Sequence, residues 1–212
     1  MRTLLRIDSS ADRERSRSRA ITAAFAEAWL DRGPEFAVVE RDLHRQPVPH
    51  LADAALHWPP RLRPADAAVP AEAEALQQEL IAELLAADVL IVGAPMYNYS
   101  LPSSLKAWID HIHVPGVTAD FDIEAHPLLG RPAVIVSPRG LSYDPGSPTD
   151  GWDHAVPPLQ LIIGTALQMR VTVLTTSLTL ADTVPPLAEF RQRAVAEFEA
   201  ARAEAVALAR QL

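Results

Sequence analysis

Two short runs, Val89-Leu90-Ile91-Val92 and Val134-Ile135-Val136, put apolar side chains on both faces of any extended segment they form. Successive side chains of a strand point to opposite faces, so a strand solvated on one side alternates apolar with polar residues. These runs do not alternate. They belong in a sheet covered on both faces, as parallel sheets between helix layers are. The surrounding sequence extends the pattern. Strands are predicted over residues 3–8, 36–40, 87–93, 133–136 and 171–176, and helices over 16–31, 71–86, 103–113, 159–167 and 187–212. The first helix places Ile21, Phe25 and Trp29 at four-residue spacing on one face. Five strands alternating with helices predict a doubly wound, three-layer α/β fold with a five-stranded parallel sheet. A chain of 212 residues fits one such domain, 1–212. Residues 42–70, rich in proline, histidine and tryptophan, read as an ordered excursion or lid and should contain short helix.

Composition removes several function classes. There is no cysteine, hence no disulfide, thiol catalysis or thiolate metal site. A formal net charge of −8 argues against non-specific nucleic-acid or anionic-membrane binding, which would want a basic face. Leu4-Leu5-Arg6-Ile7-Asp8 is too short and polar for a signal peptide or membrane span, so a cytoplasmic protein is expected.

Doubly wound folds bind ligands at the carboxyl ends of the strands, near the switch in strand order. The loop after strand one reads DSSADRERSRSRA. Serine hydroxyls, the amides of a helix N-terminus and arginines make a phosphate cradle, while Ser16 reads equally as a simple N-cap. Neither G-x-G-x-x-G nor G-x-x-x-x-G-K-[ST] occurs, which fits a monophosphate better than a dinucleotide or a P-loop nucleotide. The loop after strand three reads PMYNYSLP. Two prolines stiffen a backbone whose amides can bond the edge of a planar heterocycle while Met96, Tyr97 and Tyr99 line its face. His111 and His113 are two apart on a predicted helix and face different ways, so no metal site is expected there. His50 and His57 lack a carboxylate partner at helical spacing. With no G-x-S-x-G elbow, Ser103 and Ser104 read as helix-start residues. Trp29 and Trp108 read as core or dimer contacts.

The motifs SS…SRS (9–18), PMYNYSLPSSLKAWID (95–110), PGVT (115–118), VSPRG (136–140) and GTALQMRVTVLTTS (164–177) span essentially the whole chain. The chain resembles the FMN-dependent NADH:azoreductase/quinone reductase family, within the flavodoxin-like NAD(P)H dehydrogenase group. The resemblance implies a flavodoxin-like sheet of order 2-1-3-4-5 and FMN as cofactor, with NADH or NADPH as co-substrate. It implies that Ser10 and the Ser16-Arg17-Ser18 run hold the FMN phosphate. Pro95, Met96, Tyr97, Asn98 and Tyr99 would contact the flavin ring, with Arg139 and Gly140 near its pyrimidine edge. The resemblance further implies that no protein side chain would carry the hydride, and that flavin N5 would take it and pass two electrons in ping-pong fashion to a quinone or azo acceptor. Phe121, Tyr143 and Trp152 would line the acceptor pocket, and the site would sit at the interface of a homodimer. The chain departs from the family where Pro138 and Leu141 replace a serine and a glycine of the third loop, and where Ala119-Asp120-Phe121 replaces an aromatic-rich stretch. Two other readings stay open on the residues: a flavodoxin-like electron-transfer module, and a family member recruited to a dedicated biosynthetic substrate.

Overall fold

The computed structural model describes residues 1–122 and 126–212. Five parallel strands, β1 (Arg2–Asp8), β2 (Phe36–Asp42), β3 (Val89–Gly93), β4 (Pro132–Pro138) and β5 (Arg170–Thr176), lie in the order β2-β1-β3-β4-β5. The apolar runs that predicted two covered faces divide by residue parity. Leu5, Ile7, Leu90, Val92, Ala133 and Ile135 point into one core, shared with helices α2 (Ala71–Ala86) and α3 (Ser103–Ile112). Leu4, Val89, Ile91, Val134 and Val136 point into the other, shared with α1 (Arg17–Leu30) and the last helix (Arg191–Gln211). Every residue of β3 is buried. On α1 the predicted stripe of Ile21, Phe25 and Trp29 is fully buried against the second core. Trp29 and Trp108 are both core residues, one in each layer.

Element ends differ from the sequence expectation in ways with local causes. Ala87, expected in β3, is the C-cap of α2. Strand β4 runs two residues past its expected end, through Pro138. That proline has no N–H to give, yet its carbonyl accepts the Met96 amide at 2.9 Å. The short helix expected at 159–167 is a turn of α-helix, α4 (Val156–Leu159), running into a π-helical stretch Gln160–Ala166. Gln168 follows at φ 55°, a left-handed residue that turns the chain into β5. The final helix, α5 (Arg191–Gln211), begins later than expected because the two prolines of Pro185–Phe190 hold that segment as a 3₁₀ turn.

The excursion contains 3₁₀ turns at Ala54–His57 and Pro60–Leu62 and is pinned by buried Leu43, Ala55 and Leu56. The Gln77 side-chain amide donates to the Leu56 carbonyl at 2.8 Å and the His111 carbonyl at 3.2 Å. The His111 ring Nε2 lies 3.0 Å from the Pro49 carbonyl. The excursion therefore packs along α2 and α3.

Candidate cofactor site

Three strand ends converge at the carboxyl edge of the sheet. Strand β1 stops at Asp8, and Ser9 ties its exit to β3: its amide (3.2 Å) and hydroxyl (2.7 Å) both donate to the Gly93 carbonyl. Gly93 has to be glycine for a packing reason. A Cβ there would lie 2.9 Å from Asp8 Oδ1 and 3.3 Å from the Thr22 methyl. Asp8 itself accepts from Thr22 Oγ1 (2.8 Å) and pairs with Arg6 (2.8 Å). Burial pushes its carboxyl above the usual range, against the opposing pull of Arg6 and Thr22.

The four arginines of the first loop divide by task. Arg19 forks onto both Asp42 oxygens (2.8 Å each) and onto the Ser10 carbonyl (2.7 Å), fastening the loop to the end of β2. Burial alone would raise Asp42, but Arg19 and the amides of His44 and Arg45 outweigh it and hold that carboxyl well below the usual range. Arg17 reaches across to α5, donating to the Ala194 carbonyl at 2.9 Å and to Asp182 Oδ2 at 3.4 Å, over the Phe198 ring. Arg13 and Arg15 are exposed. The Ser16 hydroxyl accepts from the Arg19 amide at 3.3 Å, so it is the N-cap of α1, and it also lies 3.0 Å from the Ser18 hydroxyl. Capping and anion binding are compatible here. The amides of Arg17 and Ser18, first in the helix, have no intrahelical acceptor to find.

The second loop is a tight hairpin. The Tyr97 amide donates to the Ser100 carbonyl (2.8 Å) and the Ser100 amide to the Tyr97 carbonyl (3.0 Å). Between them Asn98 and Tyr99 stand at φ 48° and 67°, the two positive values a type I′ turn demands. Asparagine tolerates that region; a tyrosine in it is strained and marks a position the surroundings enforce. Those surroundings are visible. The Tyr99 carbonyl accepts the His154 amide (2.9 Å), Ser100 Oγ donates to the His154 carbonyl (3.1 Å), and the Tyr99 ring meets Trp152 edge-on at 5.6 Å. The Tyr97 hydroxyl spans back to the first loop, accepting from the Ala11 amide at 3.0 Å and lying 3.3 Å from Ser10 Oγ.

Between these loops lies a cleft of about 310 Å³, within the size range of small-molecule sites. Its first wall is Ser10, Ser16, Arg17 and Ser18, and its second is Pro95, Met96 and Tyr97. The remaining expected residues fall outside the lining. Asn98 and Tyr99 form the exposed turn beyond it. Arg139 pairs with Asp153 (3.3 Å), bonds Ser177 Oγ (3.3 Å) and lies over the Tyr143 ring at 5.5 Å, on the side of the sheet that α5 covers. Burial pushes the Tyr143 hydroxyl up. Gly140 packs against Leu180, which a Cβ would meet at 3.0 Å. Phe121 pairs with Trp58 at 5.8 Å, and Trp152 with Tyr99. The third wall joins Pro138, from the third loop, to Thr179, Leu180, Asp182 and Thr183 from the segment after β5, which was not anticipated. Nothing in the types of those residues advertises a site. The signal available was positional, since they too follow the carboxyl end of a strand.

The lining combines hydroxyls, charged groups and helix-terminal amides beside α1 with the apolar surfaces of Pro95, Met96, the Tyr97 ring, Pro138 and Leu180. A model of a family described as having a flavodoxin-like fold (Flavodoxin_2) matches residues 2–203. The chain belongs to this flavodoxin-like family. Within it, the chain is 57% identical over 209 residues to a protein of Kineococcus radiotolerans named FMN-dependent NADH:quinone oxidoreductase, covering 99% of both. A crystal structure of an azoreductase from Bacillus anthracis superposes with a TM-score of 0.81 at 20% identity, covering all of both chains. An FMN-dependent NADH-azoreductase of the same species, solved in complex with FMN, gives 0.76 at 18% identity over 99% of this chain and all of that one. These two structures bear on the fold; the sequence relative bears on the family. Among the described residues of this family member, no helix is long and apolar enough to cross a membrane.

Proposed function

We propose that this chain is an FMN-dependent NADH:quinone oxidoreductase of the azoreductase type. The observation that carries the reading is the mixed lining of one cleft, which sets the hydroxyls and first amides of α1 beside Pro95, Met96 and the Tyr97 ring and so suits a ligand that joins a phosphate to a flat ring. The relative from Kineococcus radiotolerans, similar over almost its full length, bears the corresponding name.

The residues present suit FMN. Ser16 and Ser18 hydroxyls with the first amides of α1 would hold the phosphate, where the partial positive charge of a helix N-terminus favours an anion. Asp12 also faces the cleft, but its Oδ1 accepts the Glu14 and Arg15 amides (3.0 and 2.8 Å), which disperses its charge. Pro95 and Met96 would present an apolar surface to the ring. The Tyr97 phenol, bonded to the first loop, would keep the two loops at a fixed separation. The Asn98–Tyr99 turn would orient backbone amides toward the ring's edge, with Arg139 and Gly140 shaping the neighbouring loop from behind. When bound, FMN supplies the two-electron chemistry between NADH and the acceptor; the protein binds, orients and shields.

The acceptor surface and assembly belong to the same reading. Tyr99, Trp152, Trp58 and Phe121 are large aromatics with 39–49% of their surface exposed to solvent. Exposed aromatics in pairs are what an interface or a planar acceptor would cover, which supports a homodimer whose site lies near the subunit boundary. Anaerobic NADH should bleach the FMN-loaded protein with a stoichiometry of one, and turnover with a quinone should give parallel double-reciprocal lines. Flavin that stays oxidised under NADH, or intersecting lines, would rule the reading out.

A further inference from the structure

The segment after β5 is held in an unusual way. Leu178 sits in the left-handed region at φ 61° although its side chain is buried, a conformation that costs energy unless its surroundings enforce it. What it achieves is a set of backbone bonds onto the third loop: Thr179 N to the Arg139 carbonyl at 3.0 Å and Leu180 N to the Gly140 carbonyl at 3.3 Å. Leu180 is thereby set down on Gly140, facing the cleft with 41% of its surface open to solvent. Two residues on, Asp182 faces the same cleft and contacts Arg17, whose fork already serves the Ala194 carbonyl. The Asp182 carboxylate is more than half exposed, so this ion pair is weak and easily exchanged.

We propose that the segment after β5 is a fourth element of the flavin site, in which Leu180 closes on the ring and Asp182 competes with the cofactor's phosphate for Arg17. The inference rests on the flavin reading above and adds residues to it. Leu180 and Met96 both line the cleft, from different loops, so apolar surface on a flat ligand would be buried against both. Asp182 stands beside Arg17 at the start of α1, where a dianionic phosphate would meet a like charge and share the guanidinium that Asp182 already holds, with Arg15 the other arginine lining the cleft. Arginine offers five donors in a fixed fork, and so can pass from carboxylate to phosphate without moving its anchor on α5.

FMN and riboflavin, titrated by fluorescence quenching into the full chain stripped of flavin, separate the two roles, because only FMN carries the phosphate. Leu180→Ala should weaken both flavins by about five- to tenfold, as expected for losing one half-buried leucine contact. Asp182→Asn should tighten FMN by about threefold and leave riboflavin unchanged, with the gain fading as salt is raised. Wild-type affinity for both flavins in both variants would overturn the inference while leaving the flavin reading in place. An equal shift of FMN and riboflavin in Asp182→Asn would overturn the phosphate competition. A wild-type chain that binds neither flavin would overturn the flavin reading and this inference with it.

Discussion

His111 shows what burial does to one titratable group. The residue is 1% exposed, with Nε2 against the Pro49 carbonyl and Nδ1 buried and without a partner among the described residues. Burial lowers its pKa below the ordinary 6.5; the Pro49 carbonyl and Asp110 pull the other way and lose. The linkage follows in sign. Above pH 6.5 the imidazole is neutral in both folded and unfolded chains, and its contribution to stability is fully present. As pH falls below 6.5 the unfolded chain takes up a proton that the folded one resists, so stability falls, with a slope of at most about 1.4 kcal/mol per pH unit from this group. Denaturant titrations between pH 7.5 and 5 should show a steeper loss in the wild type than in His111→Gln. Equal slopes would mean the folded chain protonates this ring as readily as the unfolded one does. From the sequence its spacing to His113 argued only against a metal site; its role as the clasp between α3 and the excursion required knowing that residue 49 lies beside it.

At the scale of elements, the PMYNYSLP loop was readable as a stiff turn after a buried strand, and its two prolines stand where expected, Pro95 past the end of β3 and Pro102 as the N-cap of α3. The turn type was not readable. A type I′ turn is signalled by Asn-Gly, and here tyrosine fills the second left-handed position, held by His154 and Trp152 from a loop more than fifty residues away. If backbone shape is what the turn contributes, Asn98→Gly should keep stability and FMN affinity within about twofold of wild type, because glycine adopts positive φ freely. Asn98→Val should cost about 1–2 kcal/mol, the penalty of a branched side chain in the left-handed region, and should weaken FMN binding as well. Urea midpoints and flavin titrations on the two variants decide it; a valine variant as stable as wild type would show that the turn relaxes to another shape.

For the molecule as a whole, the sheet edge, α1 and the segment after β5 meet at one cleft, so a ligand there ties together elements distant in sequence. Any ligand that binds only the folded state adds stability by mass action, about 2.7 kcal/mol at a hundredfold excess over its dissociation constant. For a chain of this length that should raise the thermal midpoint by roughly 5–10 °C with FMN, and by less with the same concentration of riboflavin. Differential scanning fluorimetry at several FMN concentrations should show the midpoint rising with the logarithm of concentration. A midpoint indifferent to FMN would mean the cleft does not hold it.

What the sequence determined by itself was the layered α/β architecture and the strand-end loops that supply two cleft walls and Pro138 of the third. Those follow from local facts: apolar runs without alternation, helical spacing, and serine, arginine and proline next to strand ends. What tertiary structure decided was which of these neighbours face one another. Arg17 and Arg139 look like equivalent cationic site residues in the chain, yet one spans the cleft to Asp182 and α5, while the other is drawn aside by Asp153 and Tyr143. Leu180 and Asp182 carry no local mark of function. They reach the cleft because β5 lies beside β4, and because the carbonyls of Arg139 and Gly140 are there to receive the backbone that follows it. Propensity and pattern act within a few residues, whereas the partner of an exposed carbonyl or guanidinium is set by strand order, and only the assembled sheet supplies that.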